Sequence, residues 1–436
     1  MTMLDEGKEE SEVEVCNVHL DRSFDPPHSV RVFHHEVKEQ FSELRNKAFG
    51  VRTKLKHEFT DKKDKEDEME KKLLNIHPMP HAISIDKEHL KTISGNPYTV
   101  CDKSDGVRYI FGLYEYLNED HEIQHMATFE DRAGRLWCVP IKAPPKCFSD
   151  GGTFVDGEMV WDTGPYFSSD GKDGRLVFLI FDIMCISGNS VRNIHKNDRM
   201  KLCRQLFGDT EHKGLITSDS LHLVCKRDYD KKDIDMLFDE KGTVISGTPG
   251  LSFETDGLIL NPVDEHVNVG THWTQFKWKQ DHTIDFRLQF NMVNDKKGKL
   301  RHIIQLLYRV DQKLYSATGK NKGIPYAGFN IVFELEKTRA LNTLLKNMKK
   351  RAKDGEDLSK EVVIVETSCS PVLVEDAKDH LLVPNEEGIA RIKVRVIRHR
   401  LDKDVPNNSV TILRTLRSME YHVSIDDLRS ACTYVE

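Results

Sequence analysis

The stretch Lys103-Ser-Asp-Gly-Val-Arg108 brings together groups that could do covalent chemistry on a nucleotide phosphate. Lys103 supplies an amine, which attacks phosphorus only in its neutral form, and neighbouring cations or partial burial favour that form. Asp105 supplies a carboxylate, Gly106 lets the backbone approach a ligand closely, and Arg108 offers a fork of donors to phosphate or ribose. A surface strand that ends in a charged turn gives the same pattern, so the interpretation depends on the rest of the chain.

Two later stretches carry carboxylates at the spacing of a strand. Phe154-Val-Asp-Gly-Glu158 presents Asp156 and Glu158 on one face, where they could hold a metal ion or a ribose, although an acidic hairpin turn has the same pattern. The stretch from 254 to 260 is another acidic strand, with Asp256 near its start. These carboxylates are candidates for contacts with a metal ion or a sugar.

Two further stretches could contact a nucleotide. The apolar run from 176 to 184 contains Phe181 directly before Asp182, so the ring could stack on a purine while the carboxylate contacts the site; a core strand is the alternative. Lys277 and Lys279 flank a tryptophan on one face of a strand, spaced so that both could reach one phosphate. An exposed edge strand also carries lysines in this way.

Several elements must position these residues. Residues 1–77 are charge-rich and poor in aromatics, so we expect disorder in residues 1–20 and an amphipathic helix within 32–74. Pro78-Met-Pro80 marks a boundary, because two close prolines break a helix. Beyond it, the pattern predicts strands at 98–100 and 107–113, a hairpin around 133–134 and a helix at 197–207.

The pattern changes beyond residue 286. Five short alternating strands, at 286–290, 303–310, 331–335, 362–366 and 392–398, predict a small closed barrel. A helix from Lys337 to Lys353 lies between them and ends in a basic cluster, which could contact RNA or act as a nuclear address; cations also suit any exposed helix C-terminus. Two short helices should follow, the last with Ser424 as its N-cap.

Composition excludes several classes of protein. The chain has 436 residues and a net charge of -7, with 64 Lys plus Arg against 71 Asp plus Glu, so any contact with RNA must be local. The nine cysteines include no C-x-x-C pair, which argues against a zinc ribbon or a disulfide framework and favours a reducing compartment. The acidic N-terminus is unlike a targeting peptide and no apolar run approaches membrane length, so we expect a cytosolic or nuclear protein without a membrane partner.

Together these stretches resemble the motifs of the guanylyltransferase part of eukaryotic mRNA capping enzymes, in the covalent nucleotidyltransferase superfamily that also includes DNA and RNA ligases. Order and spacing both agree from about residue 80 to residue 407. The matching stretches are Lys103–Arg108, Asp156–Glu158, Phe181–Asp182, Asp256–Gly257, Lys277–Lys279 and Arg398–Asn407. Two features separate capping enzymes from ligases, namely Thr283-Ile-Asp-Phe286 and the pattern R-x-R-x-D-K-x-x-P-N at 398–407.

The resemblance implies an α+β fold. It implies a nucleotidyltransferase domain, ATP-grasp-like with mixed antiparallel sheets, followed by a C-terminal OB-fold lid. We expect an N-terminal extension at 1–77, the nucleotidyltransferase domain at 78–284, the OB-fold domain at 285–403, and helices at 404–436 that pack back on the nucleotidyltransferase domain. The strand pattern from 286 to 398 agrees with such a barrel.

The resemblance also implies a two-step reaction. Lys103 would attack the α-phosphate of GTP with Mg²⁺ or Mn²⁺, release pyrophosphate, and pass the bound GMP to a 5' diphosphate RNA end to form the GpppN cap. The residues implied to bind GTP are Asp105, Gly106, Arg108, Arg132, Glu158, Phe181, Asp182, Lys277, Lys279, Arg398, Arg400, Asp402 and Lys403, and those implied to hold the metal are Asp256 and Glu158. Closure of the lid would serve the first step and opening the second.

The resemblance has departures as well. Many relatives have histidine three residues before Asp256, where this chain has Phe253, which leaves a polar contact there in doubt. The chain contains no H-C-x-x-G-x-x-R phosphatase signature and no visible methyltransferase region. We therefore expect a separate RNA triphosphatase and a separate cap methyltransferase as partners, together with the phosphorylated tail of RNA polymerase II. A nuclear location follows, or a cytoplasmic one if the protein is viral.

Two alternatives stay open on the sequence. An ATP-dependent polynucleotide ligase shares the lysine and most motifs, although residues 283–286 and 398–407 argue against it. A catalytically inactive paralogue that binds RNA or polymerase would normally lack the lysine or a carboxylate, and none is missing here. Labelling of the protein by GTP or by ATP distinguishes these possibilities.

Overall fold

The computed structural model describes residues 23–51, 78–164, 174–267, 269–280, 282–294, 300–318, 323–353, 356, 361–371, 384–385, 387–400, 403 and 405–433. Helices and sheets are both present, which confirms the predicted mixture of α and β structure. No helix in these ranges combines the length and apolar character needed to cross a bilayer. The α-helices are α1 (His35–Phe49), α2 (Leu90–Gly95), α3 (Lys196–Phe207), α4 (Arg339–Lys353), α5 (Ser409–Glu420) and α6 (Ile425–Thr433).

The chain divides into two compact units. Among the described residues, the first unit runs through Lys279 and resumes at Val423, and the second unit spans Gln280–His422. The boundary thus falls before Gln280, whereas the sequence predicted it after residue 284. The chain crosses from the first unit to the second and then returns.

Helix α1 packs its apolar face into the first unit. Val37 and Phe41 are buried on this face, and the helix ends at Gly50, whose φ of 68° lies in the left-handed region that glycine adopts without strain. Phe33, which the periodicity placed in the helix, precedes it and is 76% exposed. The predicted helical stretch from 52 to 74 lies outside the described residues.

One sheet of the first unit has eight strands. Its order is β1 (Val30–Val32), β6 (Leu136–Cys138), β5 (Ile123–Asp131), β4 (Val107–Leu117), β7 (Thr153–Asp162), β8 (Arg175–Ile186) and β10 (His222–Cys225), and β9 (Asn189–Ser190) pairs with β8. All pairs are antiparallel except β8 with β10. The predicted hairpin around residues 133–134 joins β5 to β6.

The other sheet of the first unit has five strands and carries the candidate lysines. Its order is β11 (Tyr229–Asp230), β3 (Tyr98–Ser104), β12 (Thr255–Pro262), β13 (Gly270–Trp278) and β2 (Pro80–Ser84). Helix α6 packs under this sheet, where Leu428 and Cys432 join a core with Phe276 and Trp278. Ser424 Oγ accepts from the backbone N–H of Asp427, so the predicted N-cap is present.

The apolar run of β8 is explained by burial on both faces. Phe178 and Ile180 pack in a core with Met200 of α3. Val177 and Leu179 point the other way and belong to a second cluster. A strand covered on both sides has no solvent face, so its hydrophobic residues need not alternate with polar ones.

The second unit contains one sheet of seven strands. Its order is β16 (Lys313–Ser316), β15 (Leu300–Val310), β14 (Thr283–Asn294), β19 (Ile364–Pro371), β20 (Ile389–His399), β18 (Phe329–Leu335) and β17 (Ile324–Tyr326). Each of the five predicted strands overlaps one strand of this sheet, and α4 falls within the predicted helix. The sheet pairing among the described residues is a path from β16 to β17, so closure into an OB-fold barrel stays a prediction.

One of the two C-terminal helices, α5, differs from its predicted placement. Ile412 and Leu416 of α5 are buried in the core of the second unit, with Phe286 of β14. Helix α6 packs in a core of the first unit, as predicted. Both helices have apolar stripes, and the stripe alone does not indicate which unit it covers.

Candidate active site

Lys103 lies on β3, just before the turn that leads into β4. Its Nζ is 2.5 Å from Asp256 Oδ1, and Lys279 Nζ is 2.6 Å from Asp256 Oδ2. All three side chains are between a quarter and a third exposed. Two ammonium groups thus share one carboxylate at an open site.

A bulge in β12 makes this arrangement possible. The pairing of β12 with β3 shifts register between Thr255 and Leu258. Gly257, inside the bulge, has a φ of 149°, and a Cβ there would lie 2.0 Å from the carbonyl oxygen of Trp278. Only glycine fits this position, and the bulge turns Asp256 toward the lysines.

Lys277 adds a third lysine to the cluster. Burial lowers its pKa to about 8, and repulsion from Lys279, Lys103 and Arg132 adds to the effect. Within the described part of the chain, Lys277 forms no ion pair. Burial opposes ionisation of Asp256, but Lys103 and Lys279 outweigh it and hold the pKa of Asp256 below its usual value. The site therefore has an excess of positive charge, which suits a polyanion.

The turn between β3 and β4 is tightly packed. The backbone N–H of Asp105 donates to the carbonyl oxygen of Glu254 over 2.8 Å. A Cβ at Gly106 would lie 2.2 Å from the carbonyl oxygen of Met159, so a side chain there would displace β7. The glycine thus fixes the turn that follows Lys103.

Arg108 connects the two sheets of the first unit. Its Nε donates to Asp156 Oδ1 and its Nη1 to the carbonyl oxygen of Pro80 on β2, each over 2.9 Å. Its Cζ lies 5.2 Å from the ring centroid of Phe181, within the range of a cation–π contact. Phe181 and Arg108 therefore lie side by side near the lysines.

Glu158 is held by a short polar chain that the sequence did not reveal. Ser104 Oγ donates to Glu158 Oε2 over 2.8 Å, and Lys226 Nζ donates to Ser104 Oγ over 2.9 Å. Lys226 Nζ is also 2.9 Å from Asp102 Oδ2. Lys226 directly follows the apolar strand β10, and its single charge gave no signal that it contacts the residue next to Lys103.

Arg132 and His81 belong to the same positive region. Burial lowers the pKa of Arg132, and repulsion from Arg108 adds to the effect. Burial likewise lowers the pKa of His81, with further contributions from Arg108, Arg132 and Lys277. Such charge effects act over short distances, so both residues lie near the lysine cluster. The sequence predicted Arg132 but gave no signal for His81.

Phe181 and Asp182 face different surroundings. Phe181 is half-buried beside Arg108. Asp182 is buried, and both of its oxygens accept from Arg199 of α3. Burial opposes its ionisation, but Lys196 and Arg199 lower the pKa of Asp182 to about 2. In this structure Asp182 is fully engaged with protein cations.

The carboxylates fit a metal ion that arrives with a nucleotide. Among the described residues, no group of three His, Cys, Asp or Glu side chains could hold a metal ion alone. Mg²⁺ usually binds through one or two carboxylates together with the phosphates of its substrate. Asp256 and Glu158 are the two carboxylates that the resemblance implies for such an ion, and this assignment stays a prediction.

Phe253 is a core residue. It is 7% exposed and packs with Val160 and Leu251, while Lys226 Nζ lies 5.8 Å from its ring centroid. The apolar surroundings account for phenylalanine at a position where the sequence left a polar contact in doubt. The phenyl ring packs in this cluster and has no group that could form a conventional hydrogen bond with a ligand.

The predicted lid residues form a separate cluster in the second unit. Arg398 Nε donates to Glu366 Oε2 over 2.7 Å, and Arg400 Nη1 lies 3.5 Å from both Glu366 and Asp285. Lys403 also pairs with Asp285. Asp402 lies outside the described residues. The two stretches that resemble capping enzymes, 283–286 and 398–407, thus meet through ion pairs.

The two stretches are also joined by backbone hydrogen bonds. The backbone N–H of Asp285 donates to Asn407 Oδ1, and that of Asn407 donates to the carbonyl oxygen of Asp285, each over 2.8 Å. Thr283 Oγ1 donates to Glu366 Oε1 over 2.7 Å. Glu366 was not predicted, because a glutamate in a short strand carries no signal of its own.

The comparisons with known proteins show the family of the chain. A family model described as "mRNA capping enzyme, catalytic domain" matches residues 35–281, more than half of the 436-residue chain. The chain belongs to the mRNA capping enzyme family. This confirms the resemblance to capping enzymes drawn from the motifs.

Relatives in the family include proteins of fungi and animals. The chain is 29% identical over 231 residues to the mRNA-capping enzyme subunit alpha of Neurospora crassa, covering 49% of this chain and 54% of that protein. It is 27% identical over 243 residues to the subunit of the same name from Schizosaccharomyces pombe, covering 51% and 56%. The mRNA-capping enzyme of Danio rerio is 26% identical over 243 residues, covering 53% and 37%. The chain spans about half the length of the fungal relatives, and less of the animal one.

Solved structures similar to the chain include ligases. A mycobacterial DNA ligase D complexed with ATP and MES has a TM-score of 0.34 and 15% identity, covering 75% of this chain and 96% of that one. The ATP-dependent DNA ligase of bacteriophage T7, in complex with ATP, has a TM-score of 0.30 and 14% identity, covering 75% and 100%. Similarities this distant support no assignment of substrate.

Proposed function

We propose that this chain is an mRNA guanylyltransferase, which transfers GMP from GTP through a covalent lysyl-GMP intermediate to the 5' diphosphate end of RNA. One observation carries the proposal. The Lys103 amine forms an ion pair with Asp256, which also pairs with Lys279. Lys277 lies beside them, and its pKa is lowered to about 8. A lysine among cations, open to solvent, suits attack on a phosphate.

In the first step, the nitrogen of Lys103 forms a bond to the α-phosphorus of GTP and the bond to pyrophosphate breaks. Lys277 and Lys279 stabilise the charge on the α-phosphate oxygens. Lys103 must leave its contact with Asp256 before its nitrogen can reach the phosphorus. A Mg²⁺ or Mn²⁺ ion, held by Asp256 and Glu158 with the GTP phosphates, would supply further charge neutralisation.

The nucleoside is held by the residues around Arg108. We propose that Phe181 stacks on guanine and that Arg108 and Glu158 contact the ribose. Arg132 extends the positive surface that the phosphates meet, and the tight turn at Asp105 and Gly106 keeps the backbone close to the ligand.

We propose that the second unit is an OB-fold lid. Arg398, Arg400 and Lys403, with the predicted Asp402, would orient the pyrophosphate as it leaves. In the structure these cations contact Asp285 and Glu366, so closure exchanges carboxylates for phosphates. Opening then admits the RNA, whose terminal β-phosphate oxygen attacks the lysyl-GMP phosphorus and frees Lys103.

The RNA must arrive with a diphosphate end. We propose that a separate RNA triphosphatase supplies it and that a separate methyltransferase modifies the cap, in the nucleus (in the cytoplasm if the protein is viral), near the phosphorylated tail of RNA polymerase II. The protein should therefore cap diphosphate RNA and leave triphosphate RNA uncapped. Efficient capping of pure triphosphate RNA would contradict this part of the proposal.

Labelling tests the core of the proposal. With a divalent metal and GTP labelled at the α-phosphate, denatured protein should retain label in an acid-labile, base-stable bond, and ATP should label it far less. Lys103→Ala should abolish the label, whereas Lys201→Ala, which removes an exposed lysine of α3, should not. Preferential labelling by ATP would indicate a ligase. Label that survives Lys103→Ala would exclude this lysine as the nucleophile.

A further inference from the structure

Phe181, the residue proposed to stack on guanine, is followed by Asp182, which lies in a dense buried network of charged groups. Arg199 Nε lies 2.8 Å from Asp182 Oδ1 and Arg199 Nη2 lies 2.9 Å from Asp182 Oδ2, a two-point contact of fixed geometry. The Arg199 side chain is 3% exposed. Its Nη1 also donates to the carbonyl oxygen of Ile194 over 2.7 Å, which fixes the guanidinium relative to the start of α3.

Lys196 contacts the backbone of Phe181, the residue before Asp182. Its Nζ donates to the carbonyl oxygen of Phe181 and lies 3.5 Å from Asp182 Oδ2, and its side chain is 4% exposed. The backbone of Phe181 and the side chain of Asp182 are therefore held from one side by two cations of a single helix. The ring of Phe181 projects from this anchored backbone toward Arg108.

The network continues into the sheet that carries the nucleophile. Lys196 Nζ lies 3.8 Å from Asp228 Oδ2, and Asn261 Nδ2 on β12 donates to Asp228 Oδ1 over 3.5 Å. Gln275 Nε2 on β13 donates to Asn261 Oδ1 over 2.6 Å. The backbone N–H of Lys196 donates to the carbonyl oxygen of Val263, just after β12, over 3.0 Å. A continuous set of contacts thus links Phe181 on one sheet to the lysine-bearing sheet.

The energetics point to positioning rather than to stability alone. Burying charged groups costs desolvation energy that their attraction often does no more than repay, so hydrophobic residues could replace them with little loss of stability. A network that fixes the angle of one aromatic ring has a different benefit, because stacking depends on the ring's geometry. Asp182, with both oxygens on Arg199, has little capacity left for a ligand.

We propose that Asp182, Arg199 and Lys196 are positioning residues that set the Phe181 ring for stacking on the guanine of GTP. The inference rests on the proposed function for the identity of the base. It changes the role predicted for Asp182 from a GTP contact to an anchor for the residue before it. Arg199 and Lys196 act through Phe181, so their loss should weaken binding of the base and spare binding of the phosphates.

Two ligands separate these effects. One is guanosine 5'-[α,β-methylene]triphosphate, whose carbon bridge prevents transfer of GMP; the other is inorganic tripolyphosphate, which lacks the base. Base–aromatic stacking contributes enough that Arg199→Lys should weaken the nucleoside ligand about tenfold, because lysine cannot form the two-point contact. Tripolyphosphate should bind Arg199→Lys as tightly as it binds the original protein, by isothermal titration calorimetry.

A double-mutant cycle distinguishes positioning from general damage. Phe181→Ala should weaken the nucleoside ligand by a similar factor, and adding Arg199→Lys to it should cost little more. Lys201→Ala, on the exposed face of the same helix, should bind both ligands normally. Additive losses in the cycle, or equal losses for both ligands, would overturn the proposal. Asp182→Asn repeats the test if Arg199→Lys unfolds.

The outcome also separates this inference from the proposed function. If the protein binds the guanosine ligand with the expected pattern but forms no adduct, the guanylyltransferase proposal fails and the positioning role stands. If it forms the adduct but the double-mutant cycle is additive, the positioning role fails alone.

Discussion

The two clusters of cations in this protein differ in how their charge is balanced. In the first unit, Lys103 and Lys279 share Asp256, and Lys277 has no ion pair within the described residues. In the second unit, every described cation of the predicted lid motif contacts Asp285 or Glu366. The first cluster is thus short of negative charge, whereas the second has its counter-charge built in.

If both clusters bind phosphate as proposed, this difference gives them two ways of doing so. Burial lowers the pKa of Lys277, and repulsion from neighbouring cations adds to the effect. A bound anion would relieve that repulsion, so the first cluster would be a preformed site. The second cluster must break its ion pairs with Asp285 and Glu366 before its cations can contact phosphate. The free energy of those ion pairs therefore reduces its affinity for phosphate. Such an exchange favours tight contact only at one stage of a reaction, which is the behaviour expected of a lid.

The largest expected effect tests the exchange. Arg400→Ala removes a charge-assisted contact that would form only in the transition state, at a cost of about 2 to 4 kcal/mol, or roughly thirtyfold to a thousandfold in the rate of adduct formation. Transfer of preformed GMP to RNA should stay near normal. Single-turnover kinetics of each step measure this, with Lys393→Ala on the exposed face of β20 as the control. Equal losses in both steps would show that Arg400 supports the fold or the RNA site instead.

The next effect concerns a fully paired cluster inside the first unit. The pKa of Asp182 is lowered from 3.8 to about 2 by Lys196 and Arg199 against the opposing effect of burial, which corresponds to ~2 kcal/mol of stability at neutral pH. Because the folded pKa lies below the unfolded one, this contribution is present above about pH 4 and is lost as the pH falls toward 2. Urea unfolding from pH 5 to pH 2.5 should show a weaker pH dependence in Asp182→Asn. Parallel pH profiles would contradict the pairing.

The smallest effect tests the unpaired lysine directly. With a pKa of about 8, Lys277 is mostly charged at pH 7 and mostly neutral at pH 9, so the dissociation constant of the non-transferable GTP analogue should rise up to about tenfold across this range. Lys277→Arg, which keeps its charge, should remove most of the rise. An unchanged pH profile in Lys277→Arg would mean that another group titrates there.

Sequence reasoning was most successful where chemistry and strand spacing coincide. Asp156, Glu158, Asp256 and Lys277 lie on the predicted strands, because the alternation of side chains along a strand constrains which residues share a face. Lys103 lies on β3, which extends four residues past the strand predicted at 98–100. Their spacing in the sequence therefore carried much of their geometry.

What the sequence did not reveal depends on contacts between distant parts of the chain. Arg199 lies within the predicted helix and Lys196 just before it, and both are buried against Asp182. Lys226 reaches Ser104 from a separate strand. A side chain's type does not reveal which partner the tertiary fold will bring to it, so these residues gave no signal.

The course of the chain through the two units has a consequence for how the protein could be taken apart. The second unit enters after Lys279 and leaves before Val423, and within the first unit Trp278 Nε1 donates to the carbonyl oxygen of Val423 over 2.7 Å. The two ends of this insertion are therefore neighbours. If the whole insertion were excised, a short flexible linker could join Lys279 to Val423. The first unit would then keep α6 and the core that α6 completes. Truncation after residue 422 would instead strip Leu428 and Cys432 from beneath the lysine-bearing sheet.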